Sequence, residues 1–376
     1  MTTLVRREPI LNRQKAITAT RLIVHAPAAT DAVEALNGLA DIWPGTRNVM
    51  VGLAGCAPDA ALLEWHPPAN AMFEFPAAAL ATQAGQELAC RLSAAGMQLC
   101  LDNYADAMTL PPEPKFLFAL ADVRLNPQVT FAPAVPLAKG LTDLHAFAIE
   151  NGYSGAAGWF FLRGLPQATD KLTASHAQII HILNLVRQNA EVDEIETALK
   201  QNISISFKLL RYINSAGFGL AKQIESFRHA VTLIGYDKLN KWLSLLLVSA
   251  SQDPAAPALM QTAIARGRFM EIVAAGSIAR DQLDNLFITG SFSLLDALLG
   301  TKIAGVLQEL NLPANIGNAL LQRTGPYAPY LELALACEKE GIADLAARAV
   351  ALGLSAEKIN RAQVEALAFA DSLQLD

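Results

Sequence analysis

Three acidic residues each close a short apolar run: Glu74 in "AMFEF", Asp102 in "MQLCLDNY" and Asp122 in "FLFALADVRL". Carboxylates just past the ends of buried parallel strands are where α/β enzymes keep metal ligands and catalytic acids. Three of them would suit a divalent cation, which takes oxygen ligands. The remaining strand ends carry Arg21, Gly52, Leu120, Lys139 and Ala157. Two of these are cations and three offer no ligand. A dinuclear metal site needs a surplus of negative charge. This rim lacks one, so the sequence predicts no metal site.

Other chemistries are weaker. "GFGLAK" has Gly217 and Gly219 but no third glycine and no preceding strand, so it reads as a helix-to-helix turn and not as a phosphate loop. "GYSGA" around Ser154 is one residue away from the hydrolase elbow GxSxG and reads as an ordinary turn. His25, His66, His145, His176, His181 and His229 form no HExxH, and none is followed by Asp. His176 and His181 are five apart and share a helix face poorly.

The elements that must position these residues differ between the two halves. The first half alternates strand-length runs, "RLIVH", "NVMVGLAG", "AMFEF", "MQLCL", "FLFALADVRL" and "AGWFFL", with helical stretches such as "AATDAVEALNGLADI" and "PAAALATQAGQELACRLSAAG". Gly96 is the expected C-cap of the latter. Strand–helix–strand repetition predicts parallel βα units. From Asn126 to Lys139 the text "NPQVTFAPAVPLAK" breaks the pattern, because Pro127, Pro133 and Pro136 forbid a continuous crossover helix. The half is also shorter than the ~250 residues of a full βα barrel. The expectation is α/β plus all-α: an incomplete or distorted βα-barrel over residues 1–171, then an all-helical domain over residues 172–376, joined near Gln167 to Lys171.

Bulk properties exclude several partners. The chain has 376 residues, is 52% hydrophobic and 17% charged, and carries a net charge of -6. Residues 1–171 hold 12 basic and 15 acidic side chains and residues 172–376 hold 17 and 20, so neither half has the basic excess that nucleic-acid binding needs. Mean hydropathy is positive, yet the longest apolar runs, such as Trp242 to Ala250, fall short of the ~20 residues of a membrane span. "MTTLVRREPILNRQ" has no apolar stretch of a secretory signal. Cys56, Cys90, Cys100 and Cys337 form no CxxC pair, which suits a reduced, cytoplasmic protein with cysteines as small core residues.

The text "SISFKLLRYINSAGFGLAKQIESFRHAVTLIGYDKLNKWLSLLL" resembles the HDOD domain, a helical module related in fold to HD phosphohydrolases. It carries the run LLR-x-x-NS-x-x-FG and the helix I-x-S-x-x-x-A-x-x-x-(L/I)-G, and the resemblance covers most of residues 172–340. As in that family, the HD metal ligands are absent. Less strongly, the first half is similar to EAL domains, the cyclic di-GMP phosphodiesterase fold, and EAL-like followed by HDOD is a known order. Under that resemblance the signature glutamate falls on Arg21 and the second-strand asparagine near Gly52. Glu74 and Asp102 keep their acids, and the aspartate after Asp102 becomes Asn103. A lysine-x-aspartate becomes Leu120-Ala121-Asp122, an alanine-glutamate becomes Ala138-Lys139, a further glutamate falls on Thr142, and a glutamine falls on Ala157.

The resemblance implies a non-catalytic bacterial signalling protein that acts through an unidentified protein partner. It implies a vestigial pocket and no cofactor, with a catalytically inactive cyclic di-GMP-binding sensor as the alternative and an active cyclic di-GMP phosphodiesterase as the less favoured reading. Two ligand acids would have reversed sign, at Arg21 and Lys139, and either could pair with Glu74 or Asp102. In "YINSAGFG", Asn214, Ser215, Gly217, Phe218 and Gly219 read as a structural corner between two helices, with Phe218 inserted into the core or serving as a partner-binding anchor.

Overall fold

The computed structural model describes residues 3–105, 108–125, 134–142, 152–163, 174–200, 227–248, 255–310, 312–339 and 341–373. The expected linker at Gln167 to Lys171, most of the Pro-rich segment, and Asn214, Ser215, Gly217, Phe218 and Gly219 lie outside the described residues. The chain divides into two compact units, residues 1–165 with 336–364 and residues 166–335 with 365–376.

The first unit is built on a hairpin. Strands β1 (Leu4–Asn12) and β2 (Ile17–His25) run antiparallel. The Asn12 side-chain oxygen accepts from the backbone N–H groups of Gln14 and Ala16, each at 3.0 Å, which is how a short polar side chain fixes a turn. That turn sets a register in which Glu8 stands opposite Arg21. Strands β3 (Asn48–Ala54), β4 (Ala71–Pro76), β5 (Gln98–Asp102), β6 (Phe118–Asp122), β7 (Val135–Lys139) and β8 (Gly155–Ala157) follow in parallel, and β8 returns antiparallel to β1.

The barrel is closed, which overturns the expectation of an incomplete or distorted one. Closure is decided by backbone pairing and does not require crossover helices. Prolines forbid a helix after β6 but not an extended strand. Pro136 sits inside β7 opposite Ala119, and its carbonyl accepts from Ser154 N at 2.9 Å. The shortfall in length is taken from the outer layer. Among the described residues before 163, only Ala29–Asn37 and Gln83–Ala94 are α-helices, and short 3-10 turns at Ala60–Glu64 and Ala77–Ala81 fill other connections. The second α-helix starts later than the sequence suggests, where Thr82 caps it by accepting from Gly85 N at 3.1 Å. Gly96 does follow that helix, with φ +90°. "AGWFFL" is not a strand beyond Ala157, because Phe160–Leu162 turn into a 3-10 helix.

The interior is layered. Ile10, Ala19, Met50, Met72, Cys100, Leu120, Leu137 and Ala157, one from each strand, form a buried apolar layer. Since side chains alternate along a strand, the next inward position is two residues on. On β2 to β7 those positions are Arg21, Gly52, Glu74, Asp102, Asp122 and Lys139; on the antiparallel β1 it is Glu8. A charged layer therefore lies directly on the apolar one.

Strand β8 is too short to cover β1, and pairs only with Ile10, Leu11 and Asn12. The open edge is finished by other donors. Pro9 O accepts from Gly158 N at 3.0 Å, Arg7 O from Trp159 Nε1 at 3.2 Å, and Val5 O from Gln363 Nε2 at 2.6 Å. Val5 N donates to Asn360 Oδ1 at 2.8 Å. Asn360 and Gln363 lie on one face of helix Ala356–Ser372, which thus covers an edge that would otherwise expose unpaired backbone.

The second unit is helical, and no strand occurs among its described residues. Ala256–Ala274 packs closely on Leu283–Phe292, where Gly267 and Gly290 let the backbones touch. A Cβ on Gly290 would lie 2.6 Å from Gly267 Cα. Helix Phe227–Val248 is interrupted at Gly235, whose φ of 75° breaks the helical path.

Candidate functional site

Arg21 is the hub of the charged layer. Its Nε donates to Glu74 Oε1 at 2.7 Å and its Nη2 to Glu74 Oε2 at 2.8 Å, a side-by-side pair of charge-assisted bonds. Nη1 donates to Glu8 Oε2 at 3.0 Å, and Nη2 also reaches Asp102 Oδ1 at 3.4 Å. Lys139 Nζ forms a close ion pair with the same Asp102 oxygen. Arg6 Nη1 donates to Glu8 Oε1 at 2.8 Å. Three cations thus face three carboxylates.

Gly52 makes the arrangement possible. A Cβ there would overlap Glu74 Oε2, so a larger residue would displace the carboxylate from Arg21. Burial works against the Arg21 charge, but Glu74, then Glu8 and Asp102, hold it above its ordinary value. For Glu74 burial is the larger influence and raises its carboxyl, while Arg21 pulls it back. The two parallel bonds require a carboxylate, so we read the pair as ionic. Burial also raises the Glu8 carboxyl, but Arg21 and Arg6 outweigh it and hold Glu8 below the usual glutamate range.

The structure brings Arg21, Gly52, Glu74, Asp102 and Lys139 into one layer; Asp102 and Lys139 end their strands, whereas Arg21, Gly52 and Glu74 lie inside theirs and not at strand ends as the sequence suggests. Asn103 stands at the margin with φ 55°, its Nδ2 donating to Asp102 Oδ2 at 2.9 Å. Asp122 turns to the exposed Arg124, whose Nη2 lies 2.5 Å from its Oδ2, and that bond holds its carboxyl low. Ala157 belongs to the apolar layer opposite Ile10. Glu8 and Arg6 escaped the sequence reading, although the Asn12 turn and hairpin register would have placed Glu8 against Arg21.

These residues do not fit a divalent metal. The three carboxylates already share Arg21, Arg6 and Lys139, and a dication among them would meet like charge at contact distance. Among the described residues, no group of three or more His, Cys, Asp or Glu side chains is placed to hold a metal ion. Cys100 and Cys337 are core residues, Cys56 is half-buried and Cys90 is exposed, so the expectation of core cysteines holds for two of the four. No helix among the described residues is long and apolar enough to cross a membrane.

Comparison with known proteins identifies part of the chain. Residues 172–298 match the HDOD domain, so the second unit carries an HDOD domain. The chain is 29% identical over 223 residues to the cyclic di-GMP phosphodiesterase CdgJ of Vibrio cholerae, covering 58% of this chain and 51% of that protein. It is 26% identical over 190 residues to the uncharacterized protein YuxH of Bacillus subtilis, covering 50% and 46%. The chain spans about half the length of the curated relatives it matches. A solved HDOD domain protein of unknown function from Geobacter sulfurreducens covers 57% of this chain and 96% of its own, at 16% identity and a TM-score of 0.38, too low for the likeness to bear weight.

Proposed function

We propose that the chain is a non-catalytic cytoplasmic signalling protein, in which a degenerate EAL-like barrel and an HDOD domain act by binding a partner protein. One observation carries the reading. Glu74 and Asp102, the acids that the EAL resemblance would give to metal-dependent hydrolysis, are paired with Arg21 and Lys139, and their neighbour Glu8 is paired with Arg6 and Arg21. A protein without turnover transmits by differential affinity, favouring one conformation when its partner binds. The test is hydrolysis of cyclic di-GMP by the full chain with magnesium or manganese. No linear product above a heat-denatured control is expected, and turnover above that control would overturn the reading.

A second reading is a catalytically inactive cyclic di-GMP sensor. It is favoured by the similarity to the Vibrio cholerae cyclic di-GMP phosphodiesterase. Loss of metal ligands leaves purine stacking and phosphate contacts open. Calorimetric titration of cyclic di-GMP with and without magnesium distinguishes the two. Saturable, magnesium-independent heat supports the sensor, and its absence supports a scaffold.

A further inference from the structure

The HDOD-bearing unit contains a cleft of about 530 Å³, within the usual size range of small-molecule sites. Apolar side chains, Ile288 and Ile316 among them, form part of its wall, and Arg187 lines it at the end of helix Ala174–Arg187. The surroundings of Arg187 differ from those of Arg21. Its Nε donates to Asn240 Oδ1 at 2.8 Å, its Nη2 reaches Ser244 Oγ only at 3.5 Å, and its enclosed Nη1 has no hydrogen-bond partner among the described residues. Among the described residues, no carboxylate pairs with it. Burial alone shifts it, lowering its pKa to about 10.

Helix capping does not account for this arginine. Asn189, in the left-handed conformation with φ 52°, ends the helix, and its N–H and that of Ala190 already serve the carbonyls of Val186 and Leu185. Arg187 is half-buried, and a guanidinium drawn out of water without a counter-charge is costly to the fold; such groups gather at functional sites.

The cleft also carries acids. Asp284 is occupied by Lys241 Nζ at 2.9 Å. Asp237 and Asp281 are exposed and form no ion pair among the described residues. A polyanion such as a phosphate would gain one cation and meet two free carboxylates. A monocarboxylate that also carries N–H donors would satisfy both signs.

We propose that this cleft binds a small zwitterion, its carboxylate seated against Arg187 and its ammonium or amide N–H groups facing Asp237 and Asp281. The carboxylate belongs either to a free amino acid or to a peptide C-terminus, which present the same chemistry. The site is separate from the barrel layer and independent of the reading given above for it.

The test uses the full chain with calorimetry and thermal denaturation. The probes are the free L-amino acids, a set of pentapeptides with free C-termini, and the same pentapeptides amidated, with acetate and inorganic phosphate as controls. At least one zwitterionic probe is expected to bind with Kd below about 1 mM, and amidation to abolish peptide binding. Binding by free amino acids identifies a metabolite site, and binding by free-ended peptides alone identifies a terminus. Arg187→Gln is expected to weaken the bound probe at least about tenfold while leaving Tm unchanged or raised, because an uncompensated charge kept for function is retained against stability. Asp237→Asn should weaken it without altering the fold. The proposal is overturned if no zwitterion binds at about 10 mM, if phosphate binds in preference, or if Arg187→Gln lowers Tm while binding persists.

Discussion

Arg21 grips Glu74 through two parallel hydrogen bonds, 2.7 and 2.8 Å long, at a point where only the glycine at position 52 leaves room for the carboxylate. The pair is nearly dry, with side-chain exposures of 10% and 1%. Arg21→Ala leaves Glu74, Glu8 and Asp102 without their shared cation. A loss of about 3–5 kcal/mol is expected, because breaking a buried pair strands its survivor. Arg21→Met with Glu74→Leu removes both charges and should recover most of it. Urea denaturation of the two variants measures the difference, and equal losses would mean that the pair carries no coupling.

Gly52→Ala should destabilise by about 1–3 kcal/mol, the usual range for overpacking a filled interior. If the clash is with the Glu74 carboxylate, the penalty should shrink in a Glu74→Ala background. An unchanged penalty in that background would place the strain elsewhere.

Glu8 gives the barrel an acid-sensitive term. Its folded carboxyl titrates below the unfolded value of 4.5, because Arg21 and Arg6 outweigh its burial. Its contribution is therefore present above pH 4.5 and lost as the pH falls through the lower folded value. Glu8→Gln should lower stability at neutral pH and flatten the loss on the acid side of 4.5, read from Tm against pH. A parallel downward shift at every pH would show that Glu8 is held by shape and not by charge.

Gly267→Ala places a Cβ 2.5 Å from Phe287 O, a contact that backbone must move to relieve. A net loss of about 1–3 kcal/mol from overpacking is expected, exceeding the gain of up to about 1 kcal/mol that alanine brings to a helix interior. A rise in Tm would show that the two helices can separate freely.

How far the site could be read in advance varied with the span of the interaction that fixes each residue. Glu74 and Asp102 were visible because each stands in or at the end of a run whose apolar residues announce the strand. The pairing of Arg21 with acids followed from their sharing one rim. Strand β7, "VPLAK", was hidden by its proline and its length of five residues. "AGWFFL" looked like a strand because a short apolar run has no period to separate it from a helical turn. Glu8 was lost inside the consecutive charges of "RRE", where only the hairpin register singles it out. Closure of the barrel was not legible, since it depends on β8 meeting β1 across the whole first unit. Arg187 carried no signal in the sequence, and only its half-burial without a carboxylate partner among the described residues marks it.

Asn360→Ala should cost about 1–3 kcal/mol by stranding the Val5 N–H against a buried edge. The sharper readout is hydrogen exchange, in which the amide of Val5 should lose protection before those of β3 and β4. Equal protection in the variant would show that another group already serves that edge.

The seal of β1 by Asn360 and Gln363 bears on how the chain can be made. Val5 and Gln363 are 358 positions apart, so the first strand is completed by the last helix among the described residues. Contacts of such separation are the slowest to form, and a chain emerging from its N-terminus would hold β1 half-paired until the HDOD helices had followed it. The barrel is a discontinuous domain with a helical module inserted between its pieces. A truncation after residue 335 would therefore leave more than a shortened tail: it would leave a barrel with an adhesive edge, free to pair with another copy of itself.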